Sequence, residues 1–294
     1  MPVVLGILLV TTLAGCASAE EWPPALTIDV RARAIEPGEP VRIEVSSTGP
    51  LRTIAGEFLG AAVHFVRAES AETGVRFNGW ALVRLDQAPG PAAIEIRAED
   101  AQGRIVPGTH AVTVRAKEFP EERLAVAQRF VEPPPEVQAR IAREQERTKA
   151  IYARRRDAAP LRETFVRPVP GEPTSIFGTR RLYNGEPRSP HPGLDLRASE
   201  GTPVQCVGPG LVVLADDLYY SGNTVIVDHG GGLFTVYAHL SSIDVAPDQA
   251  IAAGALVGRS GQTGRVTGPH LHWGAKIGDQ PFDPTALLDP ALFR

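Results

Sequence analysis

A chain of 294 residues has room for about two domains at ~150 residues each. Its 43% hydrophobic and 22% charged residues exclude both a wholly disordered chain and a polytopic membrane protein, and a net charge of -4 argues against a nucleic-acid binder that works through a general basic surface. Its 29 glycines and 27 prolines favour turns and short strands over long helices.

The first segment, residues 1–19, reads as an export signal. The apolar run from Val3 to Val10 is shorter than the about 20 residues needed to span a bilayer, but it has the length of a signal-peptide core. Leu13-Ala14-Gly15-Cys16 resembles a bacterial lipobox, in which the chain is cut before the Cys and the Cys is lipidated. Ala17 at the next position resembles an outer-membrane sorting choice. Ala17-Ser18-Ala19 offers the alternative of ordinary signal cleavage and a secreted protein. The expectation is an exported, periplasmic protein that touches a membrane only through a lipid anchor on Cys16. Cys206 is then single, and it reads as a small buried apolar residue in a strand.

Residues 24–118 read as a β domain. Leu26-Thr27-Ile28-Asp29-Val30, Val41-Arg42-Ile43-Glu44-Val45, Ala93-Ile94-Glu95-Ile96-Arg97 and Ala111-Val112-Thr113-Val114-Arg115 all alternate apolar and polar residues, which means one buried and one wet face. Turn signals fall between them at Glu36-Pro37-Gly38, Pro89-Gly90-Pro91 and Pro107-Gly108. The pattern predicts a β-sandwich of immunoglobulin-like type. His64 and His110 read as ordinary strand residues.

Residues 119–165 change character and read as a helical linker. Pro133-Pro134-Pro135 breaks the chain, and Glu136 to Asp157 is rich in Ala, Arg and Glu with a thin apolar stripe of Val137, Ile141 and Ile151. Arg154-Arg155-Arg156 closes it as a solvated face, with contact to an anionic wall polymer or lipid as the other reading.

Residues 166–294 predict a mainly antiparallel β domain. Leu211-Val212-Val213-Leu214, Thr224-Val225-Ile226-Val227 and Leu233-Phe234-Thr235-Val236-Tyr237 are dense in β-formers, and Asp228-His229-Gly230-Gly231-Gly232 reads as the hairpin turn between the last two.

Five of the seven histidines, His191, His229, His239, His270 and His272, lie in this part. Asp195 follows His191 by four residues, but Pro192 and Gly193 oppose a helix, so a loop His followed by a strand Asp is the better picture. His270-Leu271-His272 places two imidazoles on one side of a strand. That side cannot easily be core, because two neighbouring imidazoles would need many partners. One zinc ion explains the set: a catalytic zinc keeps three protein ligands and an open fourth position, and His and Asp supply suitable donors. The chain has no suitable Cys pair for a closed structural site.

At this point His191-xxx-Asp195, Tyr237-x-His239-Leu240 and Gly268-Pro269-His270-Leu271-His272 resemble the lysostaphin/LytM-like zinc metallopeptidases, in order and rough separation. The resemblance covers about residues 171–285, including Thr174-Ser175-Ile176-Phe177-Gly178-Thr179-Arg180, Gly201-Thr202-Pro203-Val204 and Ser221-Gly222-Asn223-Thr224-Val225. It implies that His191, Asp195 and His272 bind zinc, that His239 and His270 are the assisting catalytic pair, and that His229 is structural. It implies metal-assisted peptide hydrolysis, with water acidified toward a pKa of about 7 and one histidine accepting its proton while the other holds the developing oxyanion. The implied substrates are the stem or cross-link peptides of bacterial peptidoglycan, with a D-amino-acid-containing cross-link ahead of a Gly-Gly bond. Leu182 to Pro190 and Gly261 to Gly268 are expected to wall an extended-peptide groove. Trp273 is expected either to line that groove or to pack in the core.

Two readings compete. Some relatives have lost zinc ligands and only activate other wall hydrolases, so a catalytically silent wall-binding or activating protein is the alternative; this chain keeps all five key residues. A serine hydrolase is weak, because Gly258-Arg259-Ser260-Gly261 does not complete a Gly-x-Ser-x-Gly elbow.

Overall fold

The computed structural model describes residues 24–68, 74–158 and 165–293. The expected signal segment and Cys16 lie outside the described residues. The chain is mainly β, with antiparallel sheets, and among the described residues no helix is long and apolar enough to cross a membrane.

Seven strands form the first sheet: β1 (Leu26–Arg31), β2 (Pro40–Ser47), β3 (Leu51–Phe58), β4 (Ala61–Arg67), β5 (Val75–Leu82), β6 (Gly90–Asp100) and β7 (Ile105–Val114). They run β1-β2-β5-β4-β3-β6-β7, every pair antiparallel. The period-two alternation sends Val41, Ile43 and Val45 of β2 and Ile94 and Ile96 of β6 to one face, where they pack with Phe58 and Val114. The single hydrogen-bonded path curls over this core, in a barrel-like closure that brings β1 back beside β7.

The connecting segment mixes strand and helix. β8 (Glu121–Leu124) precedes α1 (Gln128–Val131) and α2 (Pro135–Tyr152). Pro135 opens α2 because its missing N–H falls where no helical partner exists. The helix ends five residues before Asp157. Beyond Tyr152 the arginines bind locally instead: Arg155 Nη1 donates to Tyr152 O at 2.8 Å, and Arg156 Nη2 donates to Asp228 O at 2.7 Å. The basic run is therefore partly tied down against the second sheet rather than wholly solvated. Ile151 and Tyr152 are buried with Leu214, Leu218, Ile226 and Phe234, while Arg140 and Arg147 pair with Asp217 and Asp216.

The remaining chain builds the second large sheet and its attachments: β9 (Pro173–Ser175), β10 (Arg180–Tyr183), β11 (Glu186–Pro187), β12 (Gly193–Leu196), β13 (Pro203–Gln205), β14 (Gly210–Leu218), β15 (Gly222–Gly230), β16 (Leu233–Ile243), β17 (Ala250–Ile251), β18 (Leu256–Ser260), β19 (Leu271–Ile277) and β20 (Gln280–Phe282). The main path is β17-β14-β15-β16-β19-β12-β9. Strand β15 runs on through Asp228 and His229 to Gly230, so the hairpin turn is shorter than the five-residue stretch in which the sequence places it. Leu182–Pro190 is not wholly loop either. Asn184 and Gly185 both have positive φ, 53° and 90°, the geometry that lets a two-residue turn join twisted strands, and they close β10 onto β11.

The two large sheets touch. Arg33 reaches from the first to Asp283 beyond β20 at 2.8 Å while also pairing with Glu39 at 2.6 Å. Trp80 of β5 packs edge-on to Phe293, ring centroids 6.4 Å apart, and joins the core of the second sheet.

Candidate metal centre and groove

Three potential ligand atoms converge at β12 and β19 of the second sheet. β12 and β19 pair with Asp195 directly opposite His272, so two side chains far apart in sequence become cross-strand neighbours. His191 stands in the turn just before β12, as the Pro192-Gly193 break requires. Asp195 Oδ1 lies 3.0 Å from His191 Nε2 and 2.8 Å from His272 Nδ1, and the two ring nitrogens are 3.1 Å apart. The three residues form a possible metal site. Gly193 makes the approach possible: a Cβ there would stand 2.6 Å from Trp273 O and 2.7 Å from the His272 ring.

The protonation pattern fits a cation. His191 Nδ1 lies 3.1 Å from Ile176 O, and a carbonyl can only accept, so Nδ1 carries the proton and Nε2 of the neutral ring is a bare lone pair. Burial holds the His191 pKa below its ordinary value, against the pull of Asp195. Three potential ligand atoms about 3 Å apart can share one positive centre. Tetrahedral zinc, with bonds of about 2.0–2.2 Å, sets its donors roughly 3.3 Å apart, so a small closure-free adjustment accommodates it.

The other oxygen of Asp195 is taken by Arg181. Its Nη2 donates to Oδ2 at 2.7 Å and to Ser175 Oγ at 3.0 Å, and its Nε faces Glu122 at 3.3 Å. Burial works against the Arg181 charge, and Asp195 more than restores it, raising the pKa.

His239 and His270 flank the centre. His270 precedes β19, with the buried Leu271 pointing away and His272 beside it, as the i, i+2 spacing predicts. His239 Nδ1 donates to Thr263 O at 2.9 Å and His270 Nδ1 to Gly268 O at 2.8 Å. In its neutral form each ring therefore presents Nε2 as an acceptor. The ring centroids are 5.0 Å apart, and His270 Nε2 is 3.7 Å from Asp195 Oδ1. Burial, with His272 and His270 close by, lowers the His239 pKa to about 3. His239 has φ 63°, a left-handed conformation rare for a residue with a Cβ.

A cavity of about 340 Å³ opens over these groups, lined on one side by Arg265 to Pro269 and on another by Arg181 and Tyr183. A second cleft, reaching Arg188, Ser189 and Pro190, meets it at His239 and His272. Both segments expected as walls are there. A third wall was not expected: Glu122, Leu124 and Val126, alternate residues on and after β8, also line the cavity. β8 gets there by pairing parallel to β10, and Asn184 fixes its end through both backbone groups of Val126. Its four-residue alternation, Glu-Glu-Arg-Leu, is too short and too polar to read as a strand.

Trp273 belongs to the core. It is fully buried on the opposite face from the histidines, with Leu194 and Leu196. His229 lies away from the centre, held between Pro209 O and Thr235 Oγ1 at 2.8 Å each. Cys206 is buried and free, its thiol donating to Gly208 O.

Residues 189–284 match the family model for peptidase family M23. Among characterised proteins, the chain is 43% identical over 109 residues to the peptidoglycan DD-endopeptidase ShyA of Vibrio cholerae, covering 37% of this chain and 25% of that one. It is 39% identical over 100 residues to the DD-carboxypeptidase/endopeptidase Mpg of Neisseria meningitidis, covering 34% and 23%. The chain thus spans about a quarter of the length of these relatives. A crystal structure of an M23 peptidase from Pseudomonas aeruginosa superposes with a TM-score of 0.63 at 29% identity, over 87% of this chain and 96% of that one.

Proposed function

Residues 189–284 of this chain form a peptidase M23 domain, and from that premise we propose that it is a zinc-dependent endopeptidase that hydrolyses peptide cross-links of bacterial peptidoglycan. The observation that carries the reading is the convergence of His191 Nε2, Asp195 Oδ1 and His272 Nδ1 to about 3 Å from one another, beside two further imidazoles on an open groove. The likeness to a peptidoglycan DD-endopeptidase and a DD-carboxypeptidase/endopeptidase supports the substrate class.

His191, Asp195 and His272 hold the metal. Zinc bound there supplies Lewis acidity and lowers the pKa of water at the site. Arg181 fixes the Asp195 carboxylate so that one oxygen faces the centre. His239 and His270 present their Nε2 atoms to the reacting groups: one, as the neutral ring, accepts the proton from water, and the other, protonated on both nitrogens, donates from Nε2 to the carbonyl oxygen as charge develops there. The hydrogen bonds from Nδ1 to Thr263 and Gly268 orient both rings so that Nε2 is the atom facing the groove. Catalysis resides in residues 166–294, with residues 24–118 as a separate β domain and 119–165 as the connection. The lipobox-like Leu13-Ala14-Gly15-Cys16 supports export to the periplasm with a lipid anchor on Cys16.

The test is mass spectrometry of muropeptides after incubating purified peptidoglycan with the full chain. Cross-linked species are expected to convert to monomers, to persist when a chelator is added, and to convert again after zinc is restored. His272→Ala is expected to lose both zinc and conversion. A chain that binds one zinc and leaves every cross-link intact would overturn the assignment.

A further inference from the structure

The groove holds a guanidinium that the hydrolytic machinery does not use. Arg265 lies over two aromatic rings at once, 4.9 Å from the Tyr183 centroid and 4.8 Å from that of Tyr220. Its backbone N–H donates to Tyr220 O at 2.8 Å. It lines both the cavity over the metal centre and the adjoining cleft, so it stands at the junction that His239 and His272 share. Tyr183 comes from β10 and Tyr220 from the turn between β14 and β15, so two separate elements hold one side chain. Arginine on aromatic faces keeps its in-plane N–H donors free, because the rings take only the flat surfaces.

The carboxylates of the groove do not neutralise it. Asp195 and Glu122 are both engaged by Arg181, and no ion pair joins Arg265 to any acid among the described residues. Arg188 and Arg197, both exposed, add positive charge to the same two clefts. A fixed, half-buried, unpaired guanidinium at a groove junction is built to receive an anion, and its fork geometry suits a carboxylate.

We propose that Arg265, clamped by Tyr183 and Tyr220, is a binding subsite for a carboxylate of the substrate peptide next to the bond that is cut. The inference rests on the endopeptidase reading and deepens it: the preferred substrate carries a free carboxylate, either at a chain end or on a side chain, close to the scissile amide. Such a group is held by Arg265 while the carbonyl sits at the metal centre, which fixes the peptide's register along the groove.

The experiment compares matched cross-linked peptides in which the terminal carboxylate, the side-chain carboxylate, or neither is converted to the amide, using the full zinc-loaded chain. Cleavage gives kcat and KM, and calorimetry with short stem peptides of the same three kinds gives affinity independently of turnover. One of the two amidations is expected to weaken binding and raise KM about tenfold in the wild type, and which one identifies the source of the carboxylate. In Arg265→Gln the acid-to-amide ratio is expected to fall to about one, and in Arg265→Lys to be kept in part. Equal affinity of the wild type for acid and amides, or an unchanged ratio in Arg265→Gln, would overturn the subsite. A wild-type chain that prefers the acid in calorimetry yet cuts nothing would keep the subsite and sink the endopeptidase reading, so the two failures stay separate.

Discussion

Arg181 Nη2 sits 2.7 Å from Asp195 Oδ2 while Asp195 Oδ1 faces the imidazoles of His191 and His272. One carboxylate is thus divided between a fixed cation and the candidate metal position. Partners of this kind orient a ligand, and their loss typically costs about 10–100-fold in metal affinity. Arg181→Ala is expected to fall in that range when zinc affinity is measured by competition with a chelator, and Arg181→Lys to recover part of the loss. Unchanged affinity in both would show that the carboxylate needs no anchor.

Gly193 is fixed by space rather than by its backbone angle. An added methyl would press on Trp273 O at 2.6 Å and on the His272 ring at 2.7 and 2.8 Å. The carbonyl belongs to a paired strand and cannot yield, so the ring must move. Gly193→Ala is expected to lower zinc affinity more than tenfold, with an overpacking cost to stability of about 1–3 kcal/mol. Metal analysis together with a thermal melt checks both, and a variant with full zinc content would contradict the packing argument.

His239 combines two demands, an imidazole at the groove and a left-handed backbone at φ 63°. Replacing it is expected to cost hydrolysis about a hundredfold or more while leaving zinc content at one per chain. Asn tolerates this conformation better than Ala, so His239→Asn is expected to be more stable than His239→Ala by an amount on the order of 1 kcal/mol. Parallel calorimetry and turnover measurements separate the two roles, and full turnover in either variant would remove His239 from the chemistry.

His229 predicts an acid sensitivity of the fold that has nothing to do with the metal. Burial lowers its pKa to about 4, against the hydrogen bond to Pro209. The unfolded chain, with a His pKa near ~6.5, binds more protons between those values, so stability is complete above about pH 6.5 and is lost as pH falls toward 4. The full loss is about 3 kcal/mol. His229→Gln is expected to flatten the stability slope between pH 6.5 and 4 in urea titrations. A slope as steep as that of the wild type would assign the acid loss to other groups.

The β8 wall yields a prediction about substrate handling. Leu124 and Val126 face the cavity from outside the family-matched region. Leu124→Ala is expected to raise KM several-fold with little change in kcat, because it removes contact with the peptide and leaves the reacting groups in place. Steady-state kinetics on a cross-linked peptide decide the point, and an equal fall in kcat would place β8 closer to the chemistry.

The sequence alone pointed to the class of the fold and to the five residues that the structure brings together. Alternation with period two and runs of β-formers are local properties, so β1, β2, β6 and β7 of the first sheet and β14, β15 and β16 of the second were legible. The spacing of His270 and His272 fixed their common face, and Pro192-Gly193 excluded a helix between His191 and Asp195. What only the tertiary structure decided is which distant groups meet. The pairing of Asp195 opposite His272 depends on strand register, and register follows from how β16, β19 and β12 bury Tyr237, Trp273 and Leu194 together. The same packing sends Trp273 to the core and folds β8 against β10, which brings Glu122 to Arg181. It also carries Arg265 across to Tyr183. Such contacts join side chains dozens of residues apart, and no local pattern of residues encodes them, because they arise only when the sheet closes and its surface has to be shared.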